Sequence, residues 1–229
     1  MTKEIRLPFK GLTLPAQPWV LNRLWDTVDE LEKMMGRPNK FRVCVWGSKR
    51  PKPPHPLYKA VYAMSRRFAA EGIEVVTGGG PGVMEAANAG ARAGKTGKTR
   101  TYGIRTSIRS EPANPHIDTV FDRRTFHSRL HQFVTMSSAF VVCDPGVGTL
   151  LEMLLVWQLL KEGHLQGVPL ILVGECWDGL LEWMDNGMLR NCHKRSEELA
   201  TLYRVPNCRA AIPIVLAANT RFQAANATV

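Results

Sequence analysis

Between Val20 and Met35 the apolar residues Leu21, Leu24, Val28, Leu31 and Met35 recur at a spacing that puts them on one face of a helix. Gly36 and Pro38 end that pattern, and residues 1–18, with Pro8, Pro15 and Pro18, read as an extended arm. From Phe41 the pattern changes. Short apolar runs at Phe41–Trp46, Ile73–Thr77, Thr101–Ile108, Ala139–Cys143 and Val168–Val173 fit strands. Helical spacing fills Leu57–Ala70, Val83–Ala93, Phe126–Ser137, Thr149–Leu160 and Trp177–Asn186 between and after them. The remainder holds one more short strand and a final helix, with Gln223–Val229 a frayed tail.

Strands alternating with helices of about a dozen residues predict a parallel sheet covered on both faces, an α/β fold. A length of 229 residues suits one such domain, with no internal repeat or linker to divide it. The expected organisation is an arm and helix over 1–40, a nucleotide-binding α/β domain over 41–222 and a tail over 223–229. In such sheets ligands bind beyond the carboxyl ends of the strands, so the turns leaving strands hold the candidate chemistry.

Two of those turns are rich in glycine. Gly78-Gly79-Gly80-Pro81-Gly82 joins a strand to a helix, and so does Asp144-Pro145-Gly146-Val147-Gly148-Thr149. Bare amides at a helix start, with the partial positive charge of the helix end, make an anion site. Neither turn is a Walker A loop or a G-x-G-x-x-G fingerprint, so no dinucleotide cofactor is indicated. Glu152 is expected in the first turn of the following helix, where the dipole favours a carboxylate. Arg129 shares a helix face with Thr125 and Phe133 and can point toward a strand end.

A net charge of +10 calls for an anionic partner: a phosphorylated small molecule, nucleic acid or an anionic membrane surface. Between Ala86 and Ser110 stand Arg92, Lys95, Lys98, Arg100, Arg105 and Arg109 with no acid. Only Tyr102 interleaves them, which disfavours a base-stacking surface and makes nucleic acid the weaker alternative. No apolar stretch approaches the ~18 residues of a membrane span, and no apolar leader follows Met1, so the cytoplasm is the expected compartment. Of the five cysteines, Cys44, Cys143 and Cys176 lie in or beside strand runs and read as buried thiols. The six histidines show no metal-ligand spacing.

Together, Val76-Thr77-Gly78-Gly79-Gly80-Pro81-Gly82-Val83-Met84-Glu85-Ala86-Ala87-Asn88, Gly103-Ile104, Glu111 near Asn114-Pro115, the Ala139–Val142 run into the second glycine turn, and Trp177-Asp178-Gly179-Leu180 resemble the Lonely Guy family. These are cytokinin riboside 5′-monophosphate phosphoribohydrolases, often mislabelled lysine decarboxylases. The resemblance covers roughly residues 41–185. It implies a Rossmann-like fold, a homodimer, no cofactor and no metal, and hydrolysis of a nucleoside 5′-monophosphate to free base and ribose 5-phosphate. Its catalytic pair falls on Glu152 and, with a one-residue shift from Leu130, on Arg129. It implies phosphate and substrate contacts at Gly79, Gly80, Gly82, Met84, Glu85, Gly146, Gly148 and Thr149. The family's Pro-Gly-Gly-x-Gly-Thr reads Asp144-Pro145-Gly146-Val147-Gly148-Thr149 here. Pro145 removes a backbone N–H, and Asp144 brings a carboxylate toward the anion, a cost unless it is paired or turned away. That departure makes a nucleotide sensor without turnover the first alternative.

Overall fold

The computed structural model describes residues 40–97, 99–106, 112–188 and 201–227. Seven strands form one sheet: β1 Arg42–Trp46, β2 Glu74–Thr77, β3 Thr101–Thr106, β4 Thr119–Arg123, β5 Ala139–Cys143, β6 Leu170–Val173 and β7 Leu202–Val205. All neighbours are parallel, in the order β4-β3-β2-β1-β5-β6-β7. Among the described residues six α-helices accompany them: α1 Pro56–Ala70, α2 Val83–Ala93, α3 Phe126–Met136, α4 Val147–Lys161, α5 Asp178–Trp183 and α6 Cys208–Asn226.

The central strands β1, β2, β5 and β6 are buried on both faces, which is why they read as nearly continuous apolar runs. Along β1, Val43 and Val45 join a core built with Val61, Met64 and Phe68 of α1, Ala87 of α2 and Val215 of α6. Cys44 and Trp46 point the other way, into a core with Phe133 of α3 and Met153, Val156 and Trp157 of α4. The chain runs outward from β1 to β4, then returns to place β5 on the free side of β1. That reversal puts the switch point of the sheet between β1 and β5, whose carboxyl ends are where open α/β sheets bind ligands.

The strand Ala139–Cys143 and the helix Val83–Ala93 fall where the sequence pattern puts them. β4 was not expected: Thr119–Arg123 is an edge strand, only half-buried, and its alternation is too polar to stand out. The helix expected over 177–186 is preceded by a 3-10 turn at Glu175–Trp177 and passes into a π-helical stretch at Met184–Met188. The expected frayed tail is helical as far as Asn226, because α6 keeps its i→i−4 bonding beyond Gln223. The helix expected over 20–35 lies outside the described residues. Cys44, Cys143 and Cys208 are buried, but Cys176 is exposed, since it sits in the 3-10 turn beyond the end of β6. Among the described residues no helix is long and apolar enough to cross a membrane.

Helices α1 and α2 touch backbone to backbone. A Cβ at Gly90 would overlap the Tyr62 carbonyl, and one at Gly94 the Arg66 carbonyl, a helical turn further on. Alanine in mid-helix is intrinsically favoured over glycine by about 1 kcal/mol. Overpacking a fitted interface costs about 1–3 kcal/mol. Gly90→Ala is therefore expected to destabilise the fold despite its better helix propensity, as a lowered midpoint in urea unfolding.

Candidate functional site

Because β1 lies between β2 and β5, three strand exits are neighbours: Gly47–Arg50, Gly78–Gly82 and Asp144–Gly148. One residue, Ser48, ties them together. Its N–H donates to the Asp144 carbonyl at 2.9 Å, and its own carbonyl accepts from the Val83 N–H at 3.0 Å. Gly82, at φ +74°, has the Ser48 carbonyl 2.5 Å from where a Cβ would stand, so only glycine fits between the loop and the head of α2. In the sequence Gly47-Ser48 simply follows the strand run Phe41–Trp46. Its signal was there: a glycine and a hydroxyl at a third strand exit.

The first glycine turn is braced from beneath. The Thr77 hydroxyl donates to Asn88 Oδ1 at 2.7 Å and accepts the Gly79 N–H at 3.0 Å. Asn114 donates through Nδ2 to Asn88 Oδ1 at 3.0 Å and to the Gly80 carbonyl at 3.1 Å, and its N–H donates to the Gly79 carbonyl at 2.9 Å. Gly79 thus shapes the turn, with its amide committed to Thr77. The first intrahelical bond of α2 runs from Ala86 to Gly82, so the amides of Met84 and Glu85 have no partner within the helix. The Met84 thioether lies against Gly78 and Gly80. Glu85 borders a concavity of about 380 Å³ with Pro81, Pro112, Ala113, Asn114 and Pro115.

Opposite this turn stands a buried ion pair. A capping box between Thr125 and Ser128 starts α3 and puts Arg129 at the beginning of its second turn. Arg129 Nη1 donates to Glu152 Oε1 at 2.8 Å, Nε donates to the Ile104 carbonyl at 2.9 Å, and the guanidinium lies 4.8 Å from the Phe133 ring centre. It passes so close to Gly78 that a Cβ there would overlap Nη2. Arg129, not Leu130, meets Glu152. Glu152 is 5% exposed. Burial pushes its carboxyl up to about 7, against the downward pull of Arg129. Beneath the pair, burial and then the Glu152 charge push the Cys44 thiol up.

At the second turn, α4 begins at Val147, two residues earlier than the sequence pattern suggested. Glu152 consequently lies in the second helical turn rather than the first, and its position is set by Arg129 instead of the dipole. The first bond of α4 runs from Leu150 to Gly146, which leaves the amides of Val147, Gly148 and Thr149 without partners inside the helix. Thr149 is buried and Gly148 exposed. The Asp144 carboxylate is paired: Arg50 Nη2 donates to Oδ1 at 2.9 Å, and the Ser48 hydroxyl donates to Oδ2. The structure therefore gathers Gly80, Gly82, Met84, Glu85, Gly146, Gly148 and Thr149 at adjoining exits, with the Arg129–Glu152 pair over Gly78. A buried acid near neutrality beside two sets of helix-start amides can bind an anion and exchange a proton with whatever lies next to it.

Another concavity, of about 450 Å³, lies at the amino ends of β3 and β4 among Lys95, Thr99, Arg100 and Asp118. Much of the basic run is spent internally. Arg92 donates to the Pro115 carbonyl at 2.8 Å, Lys95 pairs with Asp118, and Arg105 lies 3.7 Å from Asp122. Lys98 and Arg109 lie outside the described residues. Among the described residues no three His, Cys, Asp or Glu side chains are grouped as a metal would require.

Comparison with known proteins agrees with this architecture. The chain is 29% identical over 179 residues to the pyrimidine/purine nucleotide 5′-monophosphate nucleosidase of Escherichia coli K12. The match takes in 72% of this chain, which spans only 38% of that enzyme. Among solved structures, the molybdenum cofactor binding protein of Rippkaea orientalis superposes with a TM-score of 0.60 at 22% identity, over 79% of this chain and 98% of that one. The molybdenum cofactor carrier protein of Chlamydomonas reinhardtii does so with a TM-score of 0.56 at 18% identity, over 79% and 98%. These two likenesses bear on the fold, a Rossmann-like α/β domain. The family model described as possible lysine decarboxylase matches residues 84–214, which span α2, both members of the ion pair and the second glycine turn; the chain belongs to this lysine decarboxylase-like, or Lonely Guy, family.

Proposed function

We propose that this chain hydrolyses the N-glycosidic bond of a nucleoside 5′-monophosphate to a free base and ribose 5-phosphate. The observation that carries this reading is the buried Arg129–Glu152 pair at the joined strand exits. The helix-start amides of α2 and α4 hold the phosphate, which fixes the ribose beside Glu152. As the bond from C1′ to the base nitrogen breaks, its electron pair leaves with the base and positive charge builds on the sugar. Ionised Glu152 stabilises that charge and takes a proton from the water whose oxygen joins C1′; it then gives that proton to the departing base nitrogen, so that Glu152 ends ionised again. Arg129 holds the carboxylate in place. The nucleosidase relative, which acts on nucleotide 5′-monophosphates, supports the same substrate class.

A second reading is a protein that binds the nucleotide without cleaving it. It is favoured by Asp144 and Pro145, which stand where the family has an uncharged turn, and by the two cofactor-binding proteins that share the fold. The same measurements separate the two readings. Nucleic acid gains little from a basic run largely engaged with Pro115, Asp118 and Asp122.

We also propose the homodimer that the family resemblance implies. Val147 is 90% exposed, and Leu151 and Leu154 follow it on the outer face of α4, an apolar stripe that a second copy would cover.

Purified protein is expected to release base from AMP or another nucleoside monophosphate, and Glu152→Gln to slow release by about 100-fold or more, in a chromatographic assay of free base. Binding of AMP by calorimetry with no base released selects the second reading. The carboxylate exists only above its raised pKa, so kcat/KM is expected to climb with pH up to about 7 and level off above it, tracking the Glu152 titration seen by carbon NMR. Wild-type protein is expected to run as a dimer in light scattering after gel filtration, and Leu151→Glu with Leu154→Glu as a monomer.

A further inference from the structure

The residues that make the second glycine turn unusual form a cluster of their own. Asp144 stands at φ +31°, the left-handed region, which aspartate tolerates better than most side chains. Three bonds from two residues hold it there. The Ser48 N–H binds its carbonyl, the Ser48 hydroxyl binds Oδ2 and Arg50 Nη2 binds Oδ1. Arg50 is fixed in turn on one edge. Nη2 also donates to the Pro145 carbonyl at 3.2 Å, and Nε donates to the Ser48 hydroxyl oxygen at 3.3 Å. The backbone N–H of Arg50 reaches the same oxygen at 3.3 Å. Every one of these guanidinium bonds leaves from Nε or Nη2. The Nη1 amino group, with two N–H donors, is on the remaining edge of a side chain that is 71% exposed.

We propose that Arg50 is a phosphate-binding residue of the site, with Asp144 the positioning residue that holds it at the neighbouring exits of β1 and β5. This rests on the reading of the site as one that takes a sugar phosphate. The charge balance supports it. Pro145 has no N–H to give, and the Asp144 carboxylate, left alone, would repel an anion at the start of α4. Arg50 offsets both effects, since it neutralises the carboxylate and supplies donors where the turn has lost one. A guanidinium already held by a carboxylate, with one edge presented outward, also loses little side-chain freedom when a phosphate arrives. The ligand class is a phosphate monoester, such as the 5′-phosphate of a nucleotide or of the ribose 5-phosphate product.

Calorimetric titration with ribose 5-phosphate, which the proposed reaction does not consume, tests this on the wild-type chain, Arg50→Ala and Arg50→Lys, with adenosine as the phosphate-free control. Arg50→Ala is expected to weaken ribose 5-phosphate binding about 10- to 100-fold, as loss of a charge-assisted contact does, and to leave adenosine binding and the melting temperature unchanged. Arg50→Lys is expected to recover part of the loss. Asp144→Asn, which keeps the left-handed turn but removes the anchor charge, is expected to raise KM for the nucleotide more than it changes kcat. Equal affinity of wild type and Arg50→Ala for ribose 5-phosphate overturns the assignment of Arg50 while the site stands. Failure of the wild-type chain to bind ribose 5-phosphate or AMP at all overturns the reading of the site itself.

Discussion

The backbone of Ser48 is the joint on which the site depends. Its N–H is bonded to the exit of β5 and its carbonyl to the first residue of α2, so two glycine turns that come from strands on either side of β1 are held at one separation. Sheet topology alone brings the turns to the same edge. It does not fix how far apart their amides stand. A backbone link does so at no cost in side-chain entropy, and it works only because Gly82 lets the loop press against the helix head.

The Arg129–Glu152 pair sits uneasily beside this rigid frame. An acid raised from 4.5 to about 7 binds a proton more readily in the folded chain than in the unfolded one. Folding stability from this group is full below pH 4.5 and is given up as pH rises toward 7, even with a guanidinium at 2.8 Å. The fold tolerates a carboxylate that would be more stable in water. Such tolerance is common where chemistry needs a group to change charge near neutrality.

Much of this was legible from one chain. Val83–Ala93 and Ala139–Cys143 announce themselves because their period matches a face or a buried strand, and the first glycine turn is dense enough to stand out as a candidate anion site. Glu152 and Arg129 could be picked out by family resemblance, though the helical position of Glu152 could not. Gly146-Val147-Gly148 reads as loop composition, yet a helix can start on such residues because its first amides need no carbonyl partner. β4 was hidden because an edge strand with one polar face lacks the continuous apolar run of its neighbours. The Arg50–Asp144 contact was hidden for another reason: the two residues stand 94 positions apart, and nothing local to either one points to the other.

The placement of β1 has a consequence for how the chain comes off the ribosome. On one side β1 pairs with β2, about thirty residues later; on the other it waits for β5, with Val43 against Ala139, about a hundred residues later. Throughout synthesis of that stretch the apolar run Val43 to Trp46 has one bare hydrogen-bonding edge. The nascent protein is thus most open to misassociation just before Ala139–Cys143 emerges, and a chaperone that shields extended apolar segments has its natural window there.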